Sequence, residues 1–351
     1  MRSCPLKRSE GGKYGDSRSL GMFHLAAKIA PQRSTLYSSL ASQLAIPELL
    51  FSSLGPAIAE VEKKELGSQD YILLQLDGEL TEKDLSTLSM LAMTNEFFVY
   101  HERIGQAVGP FLRPISLHRH LFLPEDIVTT RRYKGKTNEL LTKFLLNVAL
   151  FSSAFDDQPP SRLAVLDPLC GGGTTLFQAL VYGFNAWGID KAKRDIESTD
   201  AFLRGYLREI DIPFERREER LREVGRRYTF RIGLGEEVRQ CVLAHADTTT
   251  TPAILAGQRV HLIVADLPYG VQHKGQISLL TQALPDWQEV LRPGGAVALA
   301  WDATRLARQE MIGLFTENSN LQVLNHHPYD TLQHPVDRVI KKRDIIVARL
   351  P

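Results

Sequence analysis

From Arg162 onward, short apolar runs alternate with longer stretches of mixed polarity. Runs at 163–166, 186–189, 241–245, 262–265, 296–301, 321–324 and 344–348 predict strands, and most are followed by residues with helical spacing. That alternation is the pattern of a parallel sheet with crossover helices. Between 213 and 227 Arg and Glu are dense and apolar residues few, which predicts a solvated helical insertion.

Upstream the pattern is mixed. Leu49, Leu50, Leu54, Ala57, Ile58 and Val61 predict a helix over 47–64. A strand is expected at 71–76, ending in the turn Asp77-Gly78. Thr81 reads as the cap of a helix bearing Leu85, Leu88, Leu91 and Ala92, and a strand is expected at 96–101. These elements make a small α/β or α+β domain over 38–108. Residues 1–37 are expected to be disordered or weakly ordered. The first 21 are rich in Gly, Ser and Arg, lack periodicity, and could lie upstream of a natural start at Met22. Residues 109–150 form a basic linker and helix. Pro110, Pro114 and Pro124 break the linker, which carries Arg113, His118, Arg119, His120, Arg131, Arg132, Lys134 and Lys136; the helix is expected over 138–150. Pro159-Pro160 marks the start of a second domain assigned to 151–351.

Composition narrows the class. The chain is 43% hydrophobic and 24% charged with net charge +1, so any nucleic-acid surface is a local patch. Cys4, Cys170 and Cys241 are odd in number and far apart, which argues against a disulfide framework or zinc site and fits a reducing, cytoplasmic setting. No apolar run reaches the roughly 18 residues that span a bilayer, and no signal-peptide core follows the basic N-terminus. His326, His327 and His334 lie near prolines and read as loop histidines; no metal is expected.

The most specific chemistry lies in two segments. Asp167-Pro168-Leu169-Cys170-Gly171-Gly172-Gly173-Thr174 runs from a strand through a glycine turn into a helix. At the carboxyl end of a strand in an open α/β sheet, such a turn is a ligand site. Asp190 closes the next strand and is placed to accept both ribose hydroxyls of an adenosine. Asp247, after the strand 241–245, could accept from the adenine amino group. A dinucleotide fingerprint needs a sixth-position Gly or Ala where Leu176 stands, and a phosphate loop needs a lysine that the turn lacks. S-adenosylmethionine needs neither feature; its sulfonium favours a nearby carboxylate, and Asp167 sits where one could help position the amino-acid end. A glycine turn with only a structural role is the plain alternative.

The second segment, Asp266-Leu267-Pro268-Tyr269-Gly270, follows the apolar strand 262–265. An exocyclic amino group on a base is a poor nucleophile because its lone pair is delocalised into the ring. The Asp266 carboxylate and the Leu267 carbonyl, fixed by Pro268, could accept its two N–H groups and turn the lone pair toward a methyl donor. Tyr269 could stack on the base, a contact worth about 1–3 kcal/mol. An ordinary Asp-Pro-Gly turn is the alternative. Arg131, Arg132, Lys134, Lys136 and Lys274 are candidate phosphate contacts. Cys170 is expected to pack rather than react.

These residues resemble the RNA methylase family of Rossmann-like methyltransferases usually found behind a THUMP domain, whose best-known members make N2-methylguanosine in tRNA. The family's first motif is matched at Asp167, Pro168, Cys170, Gly171, Gly173 and Thr174, with Gln178 where a glutamate is often found. Asp266-Leu267-Pro268-Tyr269 lies between two forms of its catalytic motif. Lys134-Gly135-Lys136-Thr137-Asn138 and Leu291-Arg292-Pro293-Gly294-Gly295 also look like family segments. The resemblance covers about residues 130–350 and implies a seven-stranded class I methyltransferase sheet whose last strand, 344–348, is antiparallel. It implies S-adenosylmethionine as cofactor, Asp266 among its contacts, guanosine N2 in tRNA or another structured RNA as target, and room for an accessory subunit. The same constellation serves DNA adenine N6 and cytosine N4, and a non-catalytic RNA-binding protein could retain the fold. Protein glutamine methyltransferases usually head the second motif with Asn.

Overall fold

The computed structural model describes residues 22–31, 38–133, 135–268, 273–336 and 341–351; the side chains at 273 and 274 also fall outside the described set. The first part of the chain contains β1 (Met22–Ile29), α1 (Ser38–Phe51), β2 (Ile58–Leu66), β3 (Gln69–Asp77), α2 (Glu82–Met90), β4 (Thr94–Ile104) and β5 (Ala107–Pro114). Its strands form an antiparallel sheet in the order β2-β3-β1-β4-β5. Thr81 caps α2 in a reciprocal capping box with Asp84.

Three expectations are corrected here. Residues 22–29, expected to be weakly ordered, form the central strand β1, paired on both sides. The helix expected over 47–64 starts earlier and stops at Phe51; 58–66 pair with β3 as an edge strand, and ladder hydrogen bonds outweigh the helical spacing of Ile58 and Val61. The expected linker begins with β5, so the first sheet continues past residue 108.

Two helices, α3 (Asp126–Thr130) and α4 (Glu139–Ser152), lead into the second part. It contains β6 (Ala164–Asp167), α5 (Thr174–Val181), β7 (Asn185–Asp190), α6 (Lys193–Glu209), β8 (Phe214–Leu221), β9 (Gly225–Ile232), β10 (Arg239–Ala246) and α7 (Thr251–Leu255). After them come β11 (Val260–Asp266), α8 (His273–Val290), β12 (Leu291–Asp302), α9 (Arg308–Asn318), β13 (Gln322–Leu324), β14 (His334–Pro335) and β15 (Lys342–Arg349). The main path of the sheet is β13-β15-β12-β11-β6-β7-β10-β9-β8. The pairs among β10, β7, β6, β11 and β12 are parallel, and β15 runs antiparallel between β12 and β13. This is the seven-stranded Rossmann-like arrangement of the class I methyltransferase fold, preceded by the smaller α+β unit. The stretch expected to be a helical insertion is the β8–β9 hairpin added to one edge. Its charges pair across and along the strands, as in Arg227–Glu219 (2.7 Å) and Arg226–Glu218 (2.8 Å).

Strand alternation divides the core. Val165, Ala186, Leu243, Val264, Ala298 and Val347 face α4, α5 and α6, in a cluster that continues into the first sheet. Leu166, Trp187, Val242, Ile263, Leu299 and Ile346 face α7, α8 and α9. Burial on both faces explains the near-continuous apolar runs. Between the two sheets, buried Glu48 of α1 accepts hydrogen bonds from the amides of Ala92 (2.9 Å) and Met93 (2.7 Å) and from Asn147 Nδ2 on α4 (2.8 Å).

Candidate active site

The carboxyl ends of β6, β7, β10 and β11 open onto one cavity of 720 Å³, in the size range of cofactor sites. At the end of β6, the chain turns from Asp167 to Gly173 and enters α5 at Thr174. Gly171 and Gly173 have φ of 47° and 83°, the left-handed region that L side chains rarely adopt. The turn is tied to β7: Cys170 N donates to Ile189 O (2.9 Å) and Gly171 N to Asp190 Oδ2 (2.8 Å). Asp190 Oδ1 accepts from Ala192 N (2.7 Å), so this carboxylate fixes the turn as well as lining the cavity.

Asp167 is buried, accepts from Leu169 N (3.0 Å), and its carboxyl is pushed up to about 7. Burial is the main cause; Thr175 and the Leu169 amide oppose it, while the charges of Asp190 and Asp266 reinforce it. Asp247, after β10, accepts from Thr249 N (3.0 Å) and Oγ1 (2.8 Å), which hold its carboxyl below the ordinary value. Asp266 ends β11, and Leu267 N donates to Ala300 O (2.9 Å), pinning the next residue.

The cavity therefore gathers Asp167, Pro168, Cys170, Gly171, Thr174, Asp190, Asp247, Asp266, Leu267 and Pro268; Gly173 sits behind it as the cap of α5. Tyr269 and Lys134 lie outside the described residues, as does the side chain of Lys274. Burial pushes the Cys170 thiol well above its ordinary value, as suits a packing residue.

Two candidate phosphate contacts are engaged inside the protein. The Arg131 guanidinium donates to Gly172 O, Thr199 Oγ1 (2.6 Å) and Ser198 Oγ (2.8 Å), and lies over the rings of Tyr133 and Phe202. Lys136 Nζ donates to Val128 O (2.7 Å) and pairs with Glu139. Arg132 remains exposed.

Three further residues at the site, Tyr133, Thr137 and Arg343, were not assigned to it from the sequence. Tyr133 packs on the glycine turn and shares a 2.6 Å hydrogen bond with Thr174 Oγ1. Thr137 Oγ1 donates to Asp266 Oδ2 (3.0 Å), and buried Arg343 of β15 places Nη2 3.8 Å from the same oxygen. Thr137 lies in the Lys-Gly-Lys-Thr-Asn segment that the resemblance singled out, the one signal that could have led to it.

Five aspartates and one lysine, Lys191, are the charged residues lining the cavity among those described. Such a wall suits a cationic ligand and opposes a pyrophosphate. Among the described residues no group of three His, Cys, Asp or Glu side chains is disposed to hold a metal, and no helix is long and apolar enough to cross a membrane.

No protein-family model matches the chain, and no curated protein matches it. Among solved structures it is similar to TrmN from Thermus thermophilus, at 14% identity over 94% of this chain and 100% of that one, with a TM-score of 0.45. It is also similar to N-methyltransferase NodS from Bradyrhizobium japonicum WM9, at 16% identity over 60% of this chain and 94% of that one (TM-score 0.38). An rRNA methylase from Streptococcus thermophilus matches at 10% identity over 54% and 87% of the two chains (TM-score 0.31). At these values the fold assignment rests on the strand order of this chain.

Proposed function

We propose that this protein is an S-adenosylmethionine-dependent methyltransferase acting on an exocyclic amino group of a nucleobase, with guanosine N2 in tRNA or another structured RNA as the first target to test. The observation that carries the reading is the carboxylate-lined cavity beside a glycine turn at the strand ends, with Asp266 and Pro268 on its wall. Its acidic lining fits the cofactor: Asp167 would face the positively charged amino-acid end, Asp190 the ribose and Asp247 the adenine. Bound there, the cofactor supplies an electrophilic methyl group. Asp266 accepts from the target amino group and orients its lone pair, while the Leu267 carbonyl and the Tyr269 ring complete the acceptor site. A base in a stem must leave its stack to reach this depth; a base in a loop need not.

Isothermal calorimetry with S-adenosylmethionine tests the cofactor, and absence of binding would leave a non-catalytic role for the fold. Transfer of labelled methyl groups to total tRNA, rRNA and DNA, followed by nucleoside mass spectrometry, tests the target. Labelled N2-methylguanosine supports the reading; label only in DNA N6-methyladenine or N4-methylcytosine would replace it with DNA methylation.

A further inference from the structure

We infer that Arg343 is a positioning residue that keeps the Asp266 carboxylate ionised and fixed as a hydrogen-bond acceptor. The inference rests on the proposed role of Asp266 and extends it to a strand that contributes nothing to the cavity wall. The side chains of Arg343 and Asp266 are 4% and 9% exposed, and their charged atoms lie 3.8 Å apart. Water therefore screens the pair weakly.

The need for this cation follows from the grouping of acids. Asp167 and Asp266 feel each other's charge across neighbouring strands, and Asp190 adds a third. Carboxylates sharing one site cannot all ionise freely, and the least compensated takes the proton. Asp167 is pushed up to about 7 mainly by its burial, and the charges of Asp190 and Asp266 add to that rise. Asp266 has the buried guanidinium and the Thr137 hydroxyl on Oδ2. A protonated Asp266 would offer an O–H where the target amino group needs an acceptor, so keeping the proton off Asp266 bears directly on the reaction.

Among the described residues, Asp302 and His334 stand opposite Arg343 on the neighbouring strands. Asp302, opposite Arg343 across the β12–β15 ladder, is engaged by Arg305 (3.3 Å) and by Thr304. His334, opposite Arg343 on β14, is lowered to about 4 by burial and so is neutral at pH 7, adding no second cation. Asp167 approaches from β6 and Thr137 from the segment before α4.

The test is carboxyl ¹³C NMR of the full-length protein, with the Asp266 signal assigned by its loss in Asp266→Asn. In Arg343→Met the Asp266 midpoint is expected to rise by about one to three pH units. With tRNA as acceptor, kcat at pH 5.5 is expected to fall by up to about 25-fold and to recover as pH rises, with the S-adenosylmethionine Kd held within about twofold. Arg343→Lys is expected to restore most of the midpoint and of the rate. An unchanged Asp266 midpoint in Arg343→Met, or a rate loss independent of pH, overturns the inference. If Arg343→Met does not fold, Arg343→Gln is read instead: it should raise the midpoint with a matching loss of kcat at low pH, and a wild-type midpoint overturns the inference. Asp266→Asn separates the two levels. Full methyl transfer by that variant removes the reading of Asp266 itself, whereas an inactive Asp266→Asn beside a normal Arg343→Met removes only the role of Arg343.

Discussion

The ring of Tyr133 lies so close over Gly172 that a Cβ on this glycine would sit 2.2 Å from Tyr133 Cζ. The contact joins the segment before α4 to the turn after β6, two parts of the chain with no shared sequence signal. It makes Gly172 a requirement of packing, separate from the left-handed backbone at Gly171 and Gly173.

Gly172→Ala is therefore expected to displace Tyr133, break its hydrogen bond to Thr174 and weaken S-adenosylmethionine binding about tenfold, about 1.4 kcal/mol. Tyr133→Phe keeps the ring and loses only the hydroxyl, for about 1 kcal/mol of stability. Calorimetry and urea unfolding measure the two effects; wild-type affinity in Gly172→Ala would remove Tyr133 from the cavity wall.

Cofactor affinity is expected to depend on pH through Asp167. Its carboxyl sits at about 7 in the free protein, and a cationic ligand favours the ionised form. Affinity should therefore rise with pH up to about 7 and level off above it, and Asp167→Asn should be weaker and flatter. The same group makes the opposite contribution to stability without ligand. Its folded value is raised, so its stabilising contribution is fully present below the unfolded value near 4 and is lost as pH rises through about 7. Calorimetry and thermal melts between pH 5.5 and 8.5 would show the two trends crossing; parallel trends would exclude Asp167 as their source.

Arg131→Met should loosen the glycine turn. Because its guanidinium is directed inward, the expected result is about tenfold weaker cofactor binding with an unchanged salt dependence of RNA binding. A shallower slope of log K against log salt would return Arg131 to the phosphate-contact class.

Glu48→Ala leaves the amides of Ala92 and Met93 and the Asn147 side chain buried without their acceptor. Unsatisfied buried donors cost about 1–3 kcal/mol each, so a loss of about 3 kcal/mol or more is expected in urea unfolding. A loss under about 1 kcal/mol would mean that water reaches the junction between the sheets.

The sequence disclosed what is local. Strands buried on both faces announce themselves as apolar runs, so the seven strands of the main fold were legible, as was the glycine turn between Asp167 and Thr174. The β8–β9 hairpin was not, because β8 carries Arg or Glu at each position from 215 to 220 and its order comes from cross-strand charge pairs and from Tyr228, Phe230 and Ile232 on its partner. Met22–Ile29 was missed because a strand of eight residues containing Ala26, Ala27 and Lys28 has little pattern until β3 and β4 flank it. The candidate site divides in the same way. Aspartates that end strands follow from strand position, whereas Thr137 and Arg343 meet Asp266 only through the fold.

The distance in sequence between Asp266 and Arg343 also gives the site a history in time. Roughly 80 residues separate the carboxylate from its buried counter-cation, and at about 5–20 residues per second a ribosome needs on the order of 4–16 seconds to add them. During that interval a growing chain carries the whole glycine turn and the acceptor carboxylate, yet lacks β15. The cation that faces Asp266 is therefore synthesised after the glycine turn and the carboxylate it faces.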